Sequence, residues 1–248
     1  VVHNLSGAAR IWAACYVLVV LGHLGAQLGG AERLADATQW LLMPLLAAAV
    51  LAATRWPRGR QVTASVVALG LSFLGDSAPD LVDPSGDAPF LVMVGFFLAA
   101  QVAYVVAFAP GVRRSVLYRP AAALPYLGAL AVLVGVVAPH AGALLVPVAV
   151  YAGVLTAMAV LATGLGRWGA LGGAVFLVSD SLIALRAFVP GLDLPLGGFL
   201  VMSTYCLGQA LLAVAVVGTN LAERRPPLAR VPVEVGTRAA GAGLATVS

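Results

Sequence analysis

Residues 61–81 read QVTASVVALGLSFLGDSAPDL. An apolar run of about 20 residues is what a helix needs to cross a bilayer, and here Asp76 falls inside the run. A carboxylate at that depth costs roughly 3 kcal/mol on insertion scales, so it is rarely kept without a task. Further along, Phe176-Leu177-Val178-Ser179-Asp180-Ser181 places a second carboxylate in a similar run. The pattern implies a helical membrane protein that brings two acids together.

Outward from these segments, similar runs recur, separated by short polar or Pro/Gly-containing breaks. Eight spans are predicted, at roughly 10–28, 38–54, 61–81, 88–108, 120–138, 141–163, 167–188 and 196–219. The 248 residues are 61% apolar and only 10% charged, with mean hydropathy +1.00. A soluble fold carries about 25% charged residues, so the class is an all-α polytopic membrane protein. No alternating strand pattern points to an outer-membrane barrel. The net charge of +4 is carried by arginine, with no lysine in the chain. Those arginines are scattered among loops and form no basic face with interleaved aromatics, so no nucleic-acid partner is expected.

Loop charge predicts orientation. Arg10, Arg55, Arg58, Arg60, Arg113, Arg114, Arg119, Arg167, Arg224, Arg225, Arg230 and Arg238 fall on one side. Only Arg33 and Arg186 fall on the other, with Glu32, Asp36, Asp83, Asp87 and Asp193. Cytoplasmic loops collect arginine, so both termini are expected in the cytoplasm. The chain then divides into an eight-helix transmembrane domain, 1–220, and a mobile cytoplasmic tail, 221–248, rich in Pro, Gly and Ala. The tail arginines can attract anionic lipid, although a topology signal accounts for them more simply. No small-residue cleavage pattern follows the first span, which reads as a retained helix.

Spans three and seven run in the same direction, from the cytoplasmic side outward. Asp76 lies about 15 residues into one and Asp180 about 13 into the other, so each sits roughly 20 Å above the inner edge. Pro44 and Pro147, Asp76 and Asp180, and Gln101 and Gln209 recur at offsets of 103, 104 and 108. Each pair falls on spans four apart, which suggests a 4+4 parallel repeat about an axis along the membrane normal.

Asp76 and Asp180 are the candidate catalytic residues. Two carboxylates close together in a dry cavity do not ionise together easily, so one keeps its proton and serves as an acid beside a base. The alternative is that each caps or cross-links helices. Pro79 disturbs the helix beside Asp76 and leaves backbone groups there to satisfy. Asp80 and Asp83 continue the face toward the outer surface as a solvated edge. Gln101, Tyr104, Tyr151, Tyr205 and Gln209 are polar groups within spans. Each alone suits interhelical hydrogen bonding, while together they can line a substrate pocket. Arg186, roughly 9 Å further out than Asp180, can hold a lipid phosphate or simply reach a headgroup. Ser77 and Ser181 lack a histidine base, since His3, His23 and His140 are scattered. The same scatter leaves no metal site expected. Cys15 and Cys206, both in apolar segments, read as small buried filler.

The ordered segments Leu42-Met43-Pro44-Leu45-Leu46, Phe73-Leu74-Gly75-Asp76, Gly95-Phe96-Phe97 with Gln101 and Tyr104, Tyr151 with Met158, Phe176 to Ser181, and Thr204-Tyr205 with Gln209 resemble the YhhN family of membrane lysoplasmalogenases. The resemblance implies cleavage of the vinyl ether bond of a lysophospholipid in a membrane, bacterial and cytoplasmic by the composition. Two aspartates would act with no cofactor. Where the family usually carries lysine before the span-two proline this chain has Met43, and where it usually carries histidine it has Gln101. The competing readings are a proton-coupled transporter using the same carboxylates, an intramembrane aspartyl protease and a non-catalytic lipid-binding protein. The protease reading is disfavoured by Phe73, which stands where glycine would be expected.

Overall fold

A computed structural model describes residues 5–84 and 86–224. Among the described residues the regular structure is entirely helical. The α-helices are α1 (Gly7–Leu28), α2 (Glu32–Ala53), α3 (Arg60–Ser77), α4 (Ala88–Phe108), α5 (Pro120–Ala141), α6 (Leu145–Ala162), α7 (Arg167–Phe188) and α8 (Gly197–Glu223). Seven stretches among the described residues are long and apolar enough to cross a membrane. The longest, Pro120–Leu165, contains both α5 and α6, joined by a short 3-10 turn at Gly142–Leu144. Large apolar side chains such as Ile11, Leu18, Val132 and Val146 stay exposed on the outside of the bundle. With spans of this length, such an apolar exterior marks an integral membrane protein.

Several boundaries differ from the sequence reading by a few residues, and three of them bear on the site or the tail. Helix α2 starts at Glu32 rather than near 38. Hydropathy excludes the turn carrying Glu32, Arg33 and Asp36, but an acid in the first turn suits the positive end of a helix dipole. Helix α3 stops at Ser77, and Ala78–Leu81 winds as a 3-10 turn. Pro79 supplies no N–H to continue the ladder. Helix α8 runs on to Glu223 and so takes in the first residues of the expected tail. The rest of that tail, from 225, lies outside the described residues.

Consecutive helices pair as α1–α2, α3–α4 and α7–α8. Helix α2 also packs on α3, α4 on α6 and α6 on α7. Helix α8 reaches α1, α2 and α3, closing the ring, while α5 sits outside against α6 and α7. In lipid, helices gain little from burying apolar surface against each other, so close backbone approach through small residues matters more. That device is concentrated on α7 and α8. A Cβ added at Gly172 would lie 2.8 Å from the Leu212 nitrogen, and one at Gly208 would lie 3.0 Å from the Phe176 nitrogen. On the α6 side, a Cβ at Gly173 would stand 3.0 Å from the Ala159 Cα. Phe108, Phe176, Leu42, Met43, Leu155 and Met158 fill the centre below the site and are almost wholly buried.

Candidate active site

The last turn of α3 carries Asp76 and the middle of α7 carries Asp180. Both side chains line one cavity of about 500 Å³. They are only 7% and 6% exposed. Each carboxylate accepts a hydrogen bond from a phenol on another helix. Tyr205 of α8 donates to Asp76 Oδ2 at 2.8 Å, and Tyr151 of α6 donates to Asp180 Oδ2 in a short contact. Hydrogen bonds to a charged acceptor are about twice as strong as neutral ones, so these phenols hold the two acids in place.

The end of α3 leaves carbonyls without partners one turn on, as every helix C-terminus does. Gln39 of α2 satisfies one of them, donating from Nε2 to the Asp76 carbonyl at 3.2 Å. Phe97 of α4 meets the Tyr205 ring edge-on at 5.7 Å, and Phe176 does the same from α7. Phe97 reaches this position because residue 75 is glycine; a Cβ there would come within 3.0 Å of the Phe97 ring. At the rim, Asp80 accepts from the Trp40 indole at 3.2 Å. Arg186 is exposed at the mouth, with its side chain lying across Gly197, the first residue of α8.

The YhhN family model matches residues 34–216, which hold both carboxylates and both phenols. The chain belongs to the YhhN family. Two relatives, each named lysoplasmalogenase, come from Mycobacterium bovis (strain ATCC BAA-935 / AF2122/97) and Mycobacterium tuberculosis (strain CDC 1551 / Oshkosh). Each is 34% identical over 196 residues, covering 75% of this chain and 73% of the relative. No solved structure gives a significant match.

In this YhhN-family chain the other residues singled out from sequence fall into two sets. Tyr151, Arg186 and Tyr205 line the cavity or the slot that joins it. Tyr104 and Gln209 line neither and sit in the core: the Tyr104 hydroxyl donates to Gln209 Oε1, and Gln209 Nε2 donates to Ser72 Oγ at 3.1 Å. Their hydrogen-bonding capacity is spent tying α4, α8 and α3 together, the ordinary use of polar groups within spans. Gln101 is fully buried beside Tyr151, with neither amide atom in a completed hydrogen bond. Ser77 and Ser181 donate to the Phe73 and Leu177 carbonyls of their own helices, which leaves neither poised as a nucleophile. His23 is bonded to the Ala35 carbonyl and Thr38, tying α1 to α2.

Sequence reasoning missed Gln39, Phe90, Met93, Ile183, Ala187, Val201 and Met202, which complete the wall. A glutamine in the first half of an apolar helix was a readable signal. The apolar wall residues gave none, because hydropathy places them in the membrane without saying which way they face.

Proposed function

We propose that this YhhN-family protein hydrolyses the vinyl ether bond of a lysoplasmalogen by acid–base catalysis between Asp76 and Asp180. The observation that carries the proposal is that two carboxylates, each held by a tyrosine, share one cavity. Its support in kind comes from the relatives named lysoplasmalogenase.

One aspartic acid gives its proton to the outer alkene carbon, and an oxocarbenium ion forms at the carbon bonded to oxygen. The other, as carboxylate, stabilises that cation and takes a proton from the attacking water. The resulting hemiacetal collapses when its bond to the glycerol oxygen breaks and a proton passes to that oxygen. The products are a fatty aldehyde and a glycerophospho-base. Arg186 at the mouth takes the headgroup phosphate, and the chain requires no cofactor for any of these steps.

Asparagine at position 76 or 180 keeps the shape but can neither donate nor accept the proton. Either variant is expected to lose about a hundredfold or more of aldehyde release from choline or ethanolamine lysoplasmalogen. Extraction yield and thermal unfolding should stay near those of the parent. Near-normal turnover by both variants would end the proposal.

The finer architecture belongs to the same reading. The chain crosses a bacterial cytoplasmic membrane eight times with both termini inside, and Pro120–Leu165 crosses twice. A 4+4 repeat is supported by the packing: α2 on α8 answers α6 on α4, and α1 and α5 each flank the second helix of their half. The transporter reading fits less well. Beneath the cavity, Tyr104, Gln209, Ser72, Phe108 and Phe176 form a closed, bonded core rather than a second route.

A further inference from the structure

Besides its outer mouth, the cavity has a side branch. A narrow slot of about 40 Å³ leads off between α4 and α7, with α6 behind it. Its walls are Phe90, Met93, Val94 and Phe97 from α4 and Ile183, Ala184 and Phe188 from α7. Val148 and Tyr151 of α6 form its back. Helices α4 and α7 each pack on α6 but scarcely on each other, so α6 closes the back of the slot, which adjoins the cavity through Phe90, Met93, Phe97, Asp180 and Ile183. Phe90 and Phe188 meet edge-to-face across it at 5.6 Å.

The slot and the cavity share Asp180 but not Asp76. Every other group on the slot wall except the Tyr151 phenol is apolar, and that phenol is already bonded to Asp180. The main cavity is polar toward Gln39, Asp80 and Arg186. A ligand fitting both must therefore have a charged end and one slender hydrocarbon chain, with the bond between them beside the carboxylates. Two chains would not pass a slot so much smaller than the cavity it joins.

We infer that the alkenyl chain of the substrate lies in this α4–α7 slot, with the Phe90–Phe188 pair and Ala184 setting the chain it accepts. The inference rests on the hydrolase reading for the identity of the lipid. It fixes the polarity of the bound molecule: the headgroup faces Arg186 and the chain runs past Asp180 into the slot. The other apolar groove, lined by Ala9, Tyr16, Leu46, Ala53, Ala213 and Val217 of α1, α2 and α8, shares no residue with the cavity.

Two measurements test the slot. In the first, a saturated ether lysophospholipid, which has no vinyl bond to cleave, carries a diazirine at its chain end and is photolysed on the full-length protein in detergent. Labelling should concentrate on Phe90, Val94, Val148 and Phe188. Label gathered in the α1–α8 groove, or spread over all helices as bulk lipid would leave it, overturns the inference. This experiment needs no turnover, so its failure is separate from failure of the hydrolase reading, which the parent protein's aldehyde release decides. In the second, Ala184→Trp narrows the slot. The ratio of kcat/KM for octadecenyl over octenyl lysoplasmalogen should fall by about tenfold or more. A general loss of folded protein lowers both rates and leaves the ratio alone, and an unchanged ratio counts against the slot. Phe188→Ala should move the ratio the opposite way.

Discussion

At the scale of single residues, the site depends on two phenols as much as on two acids. Tyr205 and Tyr151 each point one donor at one carboxylate oxygen, fixing the face each acid turns to the cavity. Phenylalanine at either position removes only the hydroxyl. About tenfold is expected to be lost from kcat, the worth of roughly one charge-assisted bond, with KM little changed. Steady-state kinetics on each variant checks this; a change confined to KM would place the phenol in substrate binding instead. Asp76 and Asp180 were legible in the sequence because a charge within an apolar run is conspicuous. Their phenol partners were visible as polar residues, but the pairing was not. Tyr104 and Tyr205 look alike in one dimension, and only packing sends one to Gln209 and the other to Asp76.

At the scale of elements, the contact between α7 and α8 sets the distance between the two halves of the site. Asp180 rides on α7, and Tyr205, which anchors Asp76, rides on α8. Gly172 and Gly208 allow the two backbones to meet. Valine at either position forces the helices apart, since the nearest atoms are backbone and cannot rotate away. A loss of about 1–3 kcal/mol is expected from such overpacking, read as a lower unfolding midpoint in detergent, together with reduced aldehyde release per folded molecule. Helix positions were largely readable, because apolar runs of membrane length are strong signals. The charged start of α2 was not, because a helix continues through polar turns that hydropathy discards; the break at the end of α3 was signalled by Pro79, although hydropathy carried the span on to 81. Which helices would touch was not legible either, since glycine pairing depends on rotation about each axis.

At the scale of the whole molecule, the arginine asymmetry and the packing bear on the same end of the bundle. Arg224, at the end of α8, donates to the Arg55 and Pro57 carbonyls in the α2–α3 connection, which joins two arginine-rich segments. The proposed topology, with both termini inside, predicts that a fluorescent protein fused after residue 248 should fold and glow, while alkaline phosphatase fused there should stay inactive. The reverse pattern would invert the topology. Helix α8, last in order among the described helices, is also the one that closes the ring and supplies the Asp76 partner. During synthesis, α3 therefore enters the bilayer with its acid unmet, and 129 residues pass before Tyr205 follows. At ribosomal speed that interval is roughly ten seconds. The nascent protein spends it with a bare intramembrane acid, a handle for the quality-control machinery that clears chains stalled before α8.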